Sequence, residues 1–85
     1  MFKIKAFDGT NNLCGKKIAE IRKSQKLSQR KLAEKMQLLG YDVDHYFIRR
    51  VENGERFVTD IDLVIFARSL KVTINDILSV DNENI

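Results

Sequence analysis

Proline is absent from this chain, cysteine and histidine occur once each, and glycine only four times. A single cysteine, Cys14, can form neither an internal disulfide nor a cysteine-based zinc site. The lone His45 has no second histidine or cysteine to complete a metal centre. No run of about 18 apolar residues is present, which excludes a membrane-spanning helix, and the N-terminus lacks the apolar stretch of a signal peptide. The sequence therefore reads as a soluble cytoplasmic protein without a membrane partner. Glycine-rich phosphate loops and nucleophile-elbow motifs are missing too. Asp60 and Asp62 lie two apart at a helix start and point to different sides, so they read as caps and not as an acid/base pair. No enzyme, cofactor or metal is expected, and no place for a small-molecule effector is evident. The lack of proline fits a helical bundle without identifying one.

Eighty-five residues with 44% hydrophobic content make one domain with a single modest core. The net charge of +3 says little, but its distribution says more. Residues 1–54 hold twelve Lys and Arg against six Asp and Glu, whereas residues 55–85 hold three against six. A basic front and an acidic back are the footprint of a face that meets phosphates, with chance clustering on a solvated surface as the plain alternative.

The stretch Leu27 to Gly54 organises the rest. Ser28 is a helix-capping type, and Leu32, Ala33, Met36 and Leu39 follow at helical spacing with basic residues between them. Gly40 ends that helix by permitting positive φ, and Asp44 can cap the next, running from about His45 to Asn53. Ile48 and Val51 would face inward, leaving His45, Tyr46, Arg49 and Arg50 outward, and Asn53-Gly54 closes the helix. Ahead of it, a first helix follows Asn12 to about Gln25, with Cys14, Ile18 and Ile21 on one face. The thiol reads as a small buried hydrophobe. Thr59–Asp62 and Thr73–Asp76 have capping-box spacing and open a fourth helix to about Leu70 and a short fifth. Core positions would be Leu63, Phe66, Ala67 and Leu70, then Ile74, Ile77 and Leu78. Phe57 and Val58 should tuck inward. Ile61, Val64 and Ile65 make the fourth helix apolar over more than half its circumference, so a further element or a second copy should cover it.

This ordered pattern resembles the lambda-repressor-like (Cro/XRE-type) helix-turn-helix family of transcription regulators. The resemblance runs from about Cys14 to Leu78. It is carried by Arg22, Leu27-Ser28-Gln29, Leu32-Ala33, Ile48, Val51, Glu52-Asn53-Gly54, Asp60, Leu63, Ala67 and Leu70. It implies an all-α, five-helix DNA-binding domain over residues 12–80. Residues 1–11, where Phe2, Ile4 and Ala6 alternate with Lys3 and Lys5, are expected to be a loose or strand-like N-terminal segment. That segment would be a frayed basic tail, an arm to the DNA backbone or a strand pairing with its copy in a dimer, and residues 81–85 a frayed tail. It also implies a structural ion pair between Arg22 and Glu52, base contacts from His45, Tyr46 and Arg50 with Arg49 adjacent, and a phosphate contact from Gln29. Lys31, Asn53 and Arg56 would add backbone contacts. The expected partner is double-stranded DNA, bound by a homodimer that regulates transcription as a repressor. A protein-interaction or antitoxin-like module using the apolar side of the fourth helix is the alternative. One departure stands out: Ala33 to Ile48 spans fifteen positions, about five more than the commonest family spacing. A longer second helix and a loop from Gly40 to Val43 would absorb them, with Tyr41 packing on the core or touching a phosphate.

Overall fold

The computed structural model describes Lys5 and residues 9–78. Among these residues the chain forms five helices and no strand. They are α1 (Gly15–Ser24), α2 (Gln29–Leu38), α3 (His45–Glu52), α4 (Asp60–Leu70) and α5 (Ile74–Leu78). Most of the strand-like stretch in residues 1–11, and all of the tail at 81–85, lie outside the described residues.

Each helix starts where a short polar side chain can satisfy its unpaired N–H groups. Ser28 Oγ accepts from Lys31 N at 3.0 Å, and Asp44 Oδ1 accepts from Phe47 N at 3.0 Å. Thr59 and Asp62 form a full capping box on α4, and Thr73 and Asp76 exchange the same two bonds at α5. The Thr73 backbone N–H, donating to Asp76 Oδ2, does most to hold the exposed Asp76 carboxyl below its usual range. Asn12 caps α1 from a distance, its Oδ1 accepting from Gly15 N at 2.8 Å.

The first four helices end in one shared way. The chain turns through a left-handed residue, and the next N–H reaches back to a carbonyl five positions earlier. These bonds run from Leu27 N to Arg22 O, Tyr41 N to Met36 O, Glu55 N to Arg50 O and Val72 N to Ala67 O, at 2.9–3.1 Å. Gly40 and Gly54 supply the positive φ at two of the ends, while Lys26 and Lys71 adopt it at the other two.

The core is built from one stripe of each helix. Ile18, Leu32, Met36, Ile48, Val51, Phe66, Leu70 and Ile77 are completely buried, with Cys14, Ala33 and Ala67 beside them. α2 and α3 pack on each other and on α4 and α1 respectively, while α5 closes against α4 and α1. Gln25 adds a tie, donating to Leu70 O at 2.6 Å. Four inward assignments are corrected, the first being Leu39, which lies at the C-cap of α2 and is 50% exposed. Phe57, in the loop after α3, is 40% exposed. Ile74 and Leu78 are also more than one third exposed, since α5 has five residues and buries only Ile77 deeply. Ile61 (63% exposed) and Val64 of α4 are open to solvent.

Candidate nucleic-acid interface

The C-terminal end of α3 is held from three directions. Arg22 of α1 makes a bidentate pair with Glu52, Nε to Oε2 at 2.6 Å and Nη2 to Oε1 at 2.9 Å, while its Nη1 donates to Leu27 O at 2.7 Å. Gln29 adds a third donor to the carboxylate, Nε2 to Oε1 at 3.0 Å. Both charged side chains are almost fully buried, so each needs the other: an ion taken out of water without its partner costs several kcal/mol. From another side, Asn12 Nδ2 donates to Val51 O at 3.0 Å and to Arg56 O at 2.8 Å. Asn11 N reaches Gly54 O at 2.8 Å, and its Nδ2 reaches Glu55 O at 2.9 Å. The segment before α1 is thus strapped across the exit of α3. Here α1 comes so close that a Cβ on Gly15 would stand 2.1 Å from Val51 O, which explains glycine at a position with ordinary helical φ.

The N-terminal end is held differently. Phe47 stacks on Phe66 of α4 with ring centroids 5.8 Å apart, and Tyr41 from the preceding loop meets its edge at 6.2 Å. Arg56 lies over the Phe47 ring, 4.8 Å from its centroid. The Tyr41 hydroxyl donates to Asp62 Oδ1, and Asp62 Oδ2 accepts from Thr59 N at 3.0 Å. That bond to Asp62, more than any other influence, pushes the Tyr41 phenol above its ordinary range. Of the two roles open to Tyr41, packing on the core is therefore the one observed. The long connection predicted between α2 and α3 is present, with Gly40 at φ +89°.

Between these two ends lies an exposed arc. At about 100° per residue, His45, Tyr46, Arg49 and Arg50 span roughly 140° of the helix, opposite Ile48 and Val51. Tyr46 is 55% exposed, Arg49 and Arg50 are exposed, and His45 is half-buried against the Tyr46 ring, centroids 4.2 Å apart. The arc offers two forked cation donors and two aromatic edges on consecutive turns, a set able to hydrogen-bond base edges and touch a thymine methyl.

The residues expected at phosphates are more dispersed. Gln29 spends one amide N–H on Glu52 and has a second to offer. Lys31 pairs with Glu34 at 3.4 Å, and Asn53 donates to Glu55 Oε2 at 3.2 Å, both exposed. Arg56 is tied to α3 through Phe47. Sequence reasoning missed Asn12 as a bridge, Gly15 as a contact point and Phe47 as a core ring. Only Phe47 left a signal, as an aromatic beside the inward Ile48. Cys14 is buried, and burial pushes its thiol up to about 11, which suits a packing residue and not a nucleophile. Among the described residues no group of three His, Cys, Asp or Glu side chains could hold a metal ion, and no helix is long and apolar enough to cross a membrane.

Known proteins of the same shape exist. The restriction-modification controller protein C.AhdI from Aeromonas hydrophila is 27% identical, with a TM-score of 0.65 over 74% of this chain and 84% of that one. A hypothetical transcription factor, NHTF, from Neisseria superimposes over 98% of this chain and 90% of its own, with a TM-score of 0.72; at 17% identity it shows likeness of fold alone. No curated protein matches the chain closely enough to count as a relative. Residues 18–77, most of the chain, match the family described as helix-turn-helix, of the Cro/C1 type. With the exposed arc on the second helix of that motif and Arg22 and Glu52 fixing its angle, the chain belongs to the Cro/C1-type helix-turn-helix family of DNA-binding transcription regulators.

Proposed function

We propose that the chain is a sequence-specific regulator that inserts α3 into the major groove of double-stranded DNA. His45, Tyr46, Arg49 and Arg50 touch base edges, while Gln29, Lys31, Asn53 and Arg56 contact the backbone. The observation that carries this reading is the arc itself: four side chains with base-reading chemistry stand outward on a helix whose opposite face is completely buried. Arginine suits guanine because its fork matches the O6 and N7 acceptors. The chain acts as a homodimer on an inverted repeat, with half-sites about one helical turn apart as two-fold symmetry requires. Repression by occupying a promoter needs nothing beyond such binding, and the similarity to a controller protein supports a regulatory role of that kind.

Selecting sites from a random duplex library tests the reading directly, and an enriched inverted repeat is the expected outcome. Arg50→Ala should then weaken the selected site by about 1–3 kcal/mol more than a scrambled duplex. Equal losses on both would remove Arg50 from base readout. A shallow salt dependence would remove the phosphate contacts. The open apolar side of α4, with Ile61 and Val64, favours a second reading, a protein-interaction or antitoxin-like module. Under the first reading the same face serves the homodimer. Light scattering separates the two, since a monomer without affinity for DNA supports only the second.

A further inference from the structure

The connection from α2 to α3 is bonded mainly to its own side of the molecule. Tyr41 N donates to Met36 O at 3.0 Å, Val43 N to Tyr41 O at 3.0 Å, and Gln37 Nε2 to Val43 O at 2.7 Å, so these bonds stay within α2 and the loop. The Tyr41 hydroxyl makes a different one, crossing to Asp62 on α4. Asp62 is 2% exposed, and its second oxygen already accepts from Thr59 N. Without Tyr41, one carboxylate oxygen would be stranded out of water, or the side chain would swing outward and uncap α4. The Tyr41 ring also borders Phe47, which lies one and two residues after Tyr46 and His45. Displacing Tyr41 therefore shifts the first turn of α3, the end that carries half of the exposed arc.

We propose that Tyr41 and Asp62 form a latch that positions the first turn of α3 for base reading, which makes the Tyr41 hydroxyl a determinant of sequence discrimination without contact to DNA. This rests on α3 being the reading helix. Removing the latch leaves the basic residues and their charge in place, so attraction to phosphates is unchanged. What changes is the alignment of His45 and Tyr46 with the groove, and hydrogen bonds to base edges tolerate little misplacement.

The test uses the full chain, a site selected from random duplexes and a scrambled duplex of equal length. Tyr41→Phe removes only the hydroxyl. Its affinity for the selected site should fall about tenfold, with the scrambled duplex within about twofold and the salt slope unchanged. Asp62→Asn should keep most of the discrimination, because its amide can donate to the Tyr41 hydroxyl while its oxygen still accepts from Thr59 N. Melting curves without DNA ensure that every titration is run on folded protein. Should Tyr41→Phe fail to fold, the double variant Tyr41→Phe/Asp62→Asn strands a neutral amide instead of a charged oxygen and serves as the unlatched form, with the same tenfold loss expected. Discrimination equal to that of the parent chain in a folded unlatched variant overturns the latch, as does a parallel loss on both duplexes. A parent chain that selects no site overturns the reading of α3 itself, and that result appears before any substitution is made.

Discussion

At its C-terminal end α3 is met by Arg22 from α1, Gln29 from α2 and Asn12 from the segment ahead of both, all aimed at Glu52 or at the last carbonyls. At its N-terminal end it has one cap, Asp44, and one ring wedged against α4, while Tyr46 stands in solvent. The difference shows that α3 is fixed at one end and presented to solvent at the other. Buried charge and backbone contacts fix one end of the element, while at the other the outward Tyr46 takes no part in the core.

The sharpest way to break this contrast is at the buried charge. Glu52→Ala strands Arg22 and should lower stability by about 3–5 kcal/mol in urea titrations, whereas Arg22→Met/Glu52→Leu should cost much less than the two single changes added. A double variant as damaged as the sum would show that the two residues act independently. Gly15→Ala comes next. Its methyl would meet Val51 O, and forcing α1 away should cost about 3 kcal/mol by thermal melts; a loss below 0.5 kcal/mol, roughly the level of an ordinary surface change, would show that this approach is loose.

The neighbouring Cys14 gives a pH test. Its folded thiol is raised from 9.0 to about 11, so the folded state holds the proton more tightly than the unfolded one. Stability is thus fully present below pH 9.0 and lost as pH rises towards about 11, by about 2 kcal/mol. Cys14→Ala should flatten that part of the pH profile, and an identical alkaline slope in both proteins would refute the assignment. The smallest effect is expected at the presented end. Asp44→Ala removes a helix cap worth about 1 kcal/mol, and a loss as large as that at Glu52 would erase the distinction between the two ends.

Much of this architecture was legible in the sequence because it is encoded locally. Ser28, Asp44, Thr59 and Thr73 announce their helices through a side chain that bonds three residues ahead, and Gly40 and Gly54 announce ends through the φ they allow. Arg22 and Glu52 were legible through family resemblance, not through spacing. Contacts set by three-dimensional approach were not legible. Asn12 reads as a cap, and nothing nearby says that its amide will also hold Val51 and Arg56. Asp62 reads as half of a capping box, a role that occupies one oxygen and is silent about the other. Helical phase likewise placed Ile74 and Leu78 on the side of Ile77, but a side is buried only where a neighbour is long enough to cover it.

The strap formed by Asn11 and Asn12 bears on where this domain may be cut. The stretch shared with the family starts at residue 18, after both asparagines and after Gly15. A fragment trimmed to that border would keep the whole signature yet surrender the bonds that close over Val51, Gly54 and Glu55. In this chain the network that closes over the exit of α3 begins several residues upstream of the recognisable motif.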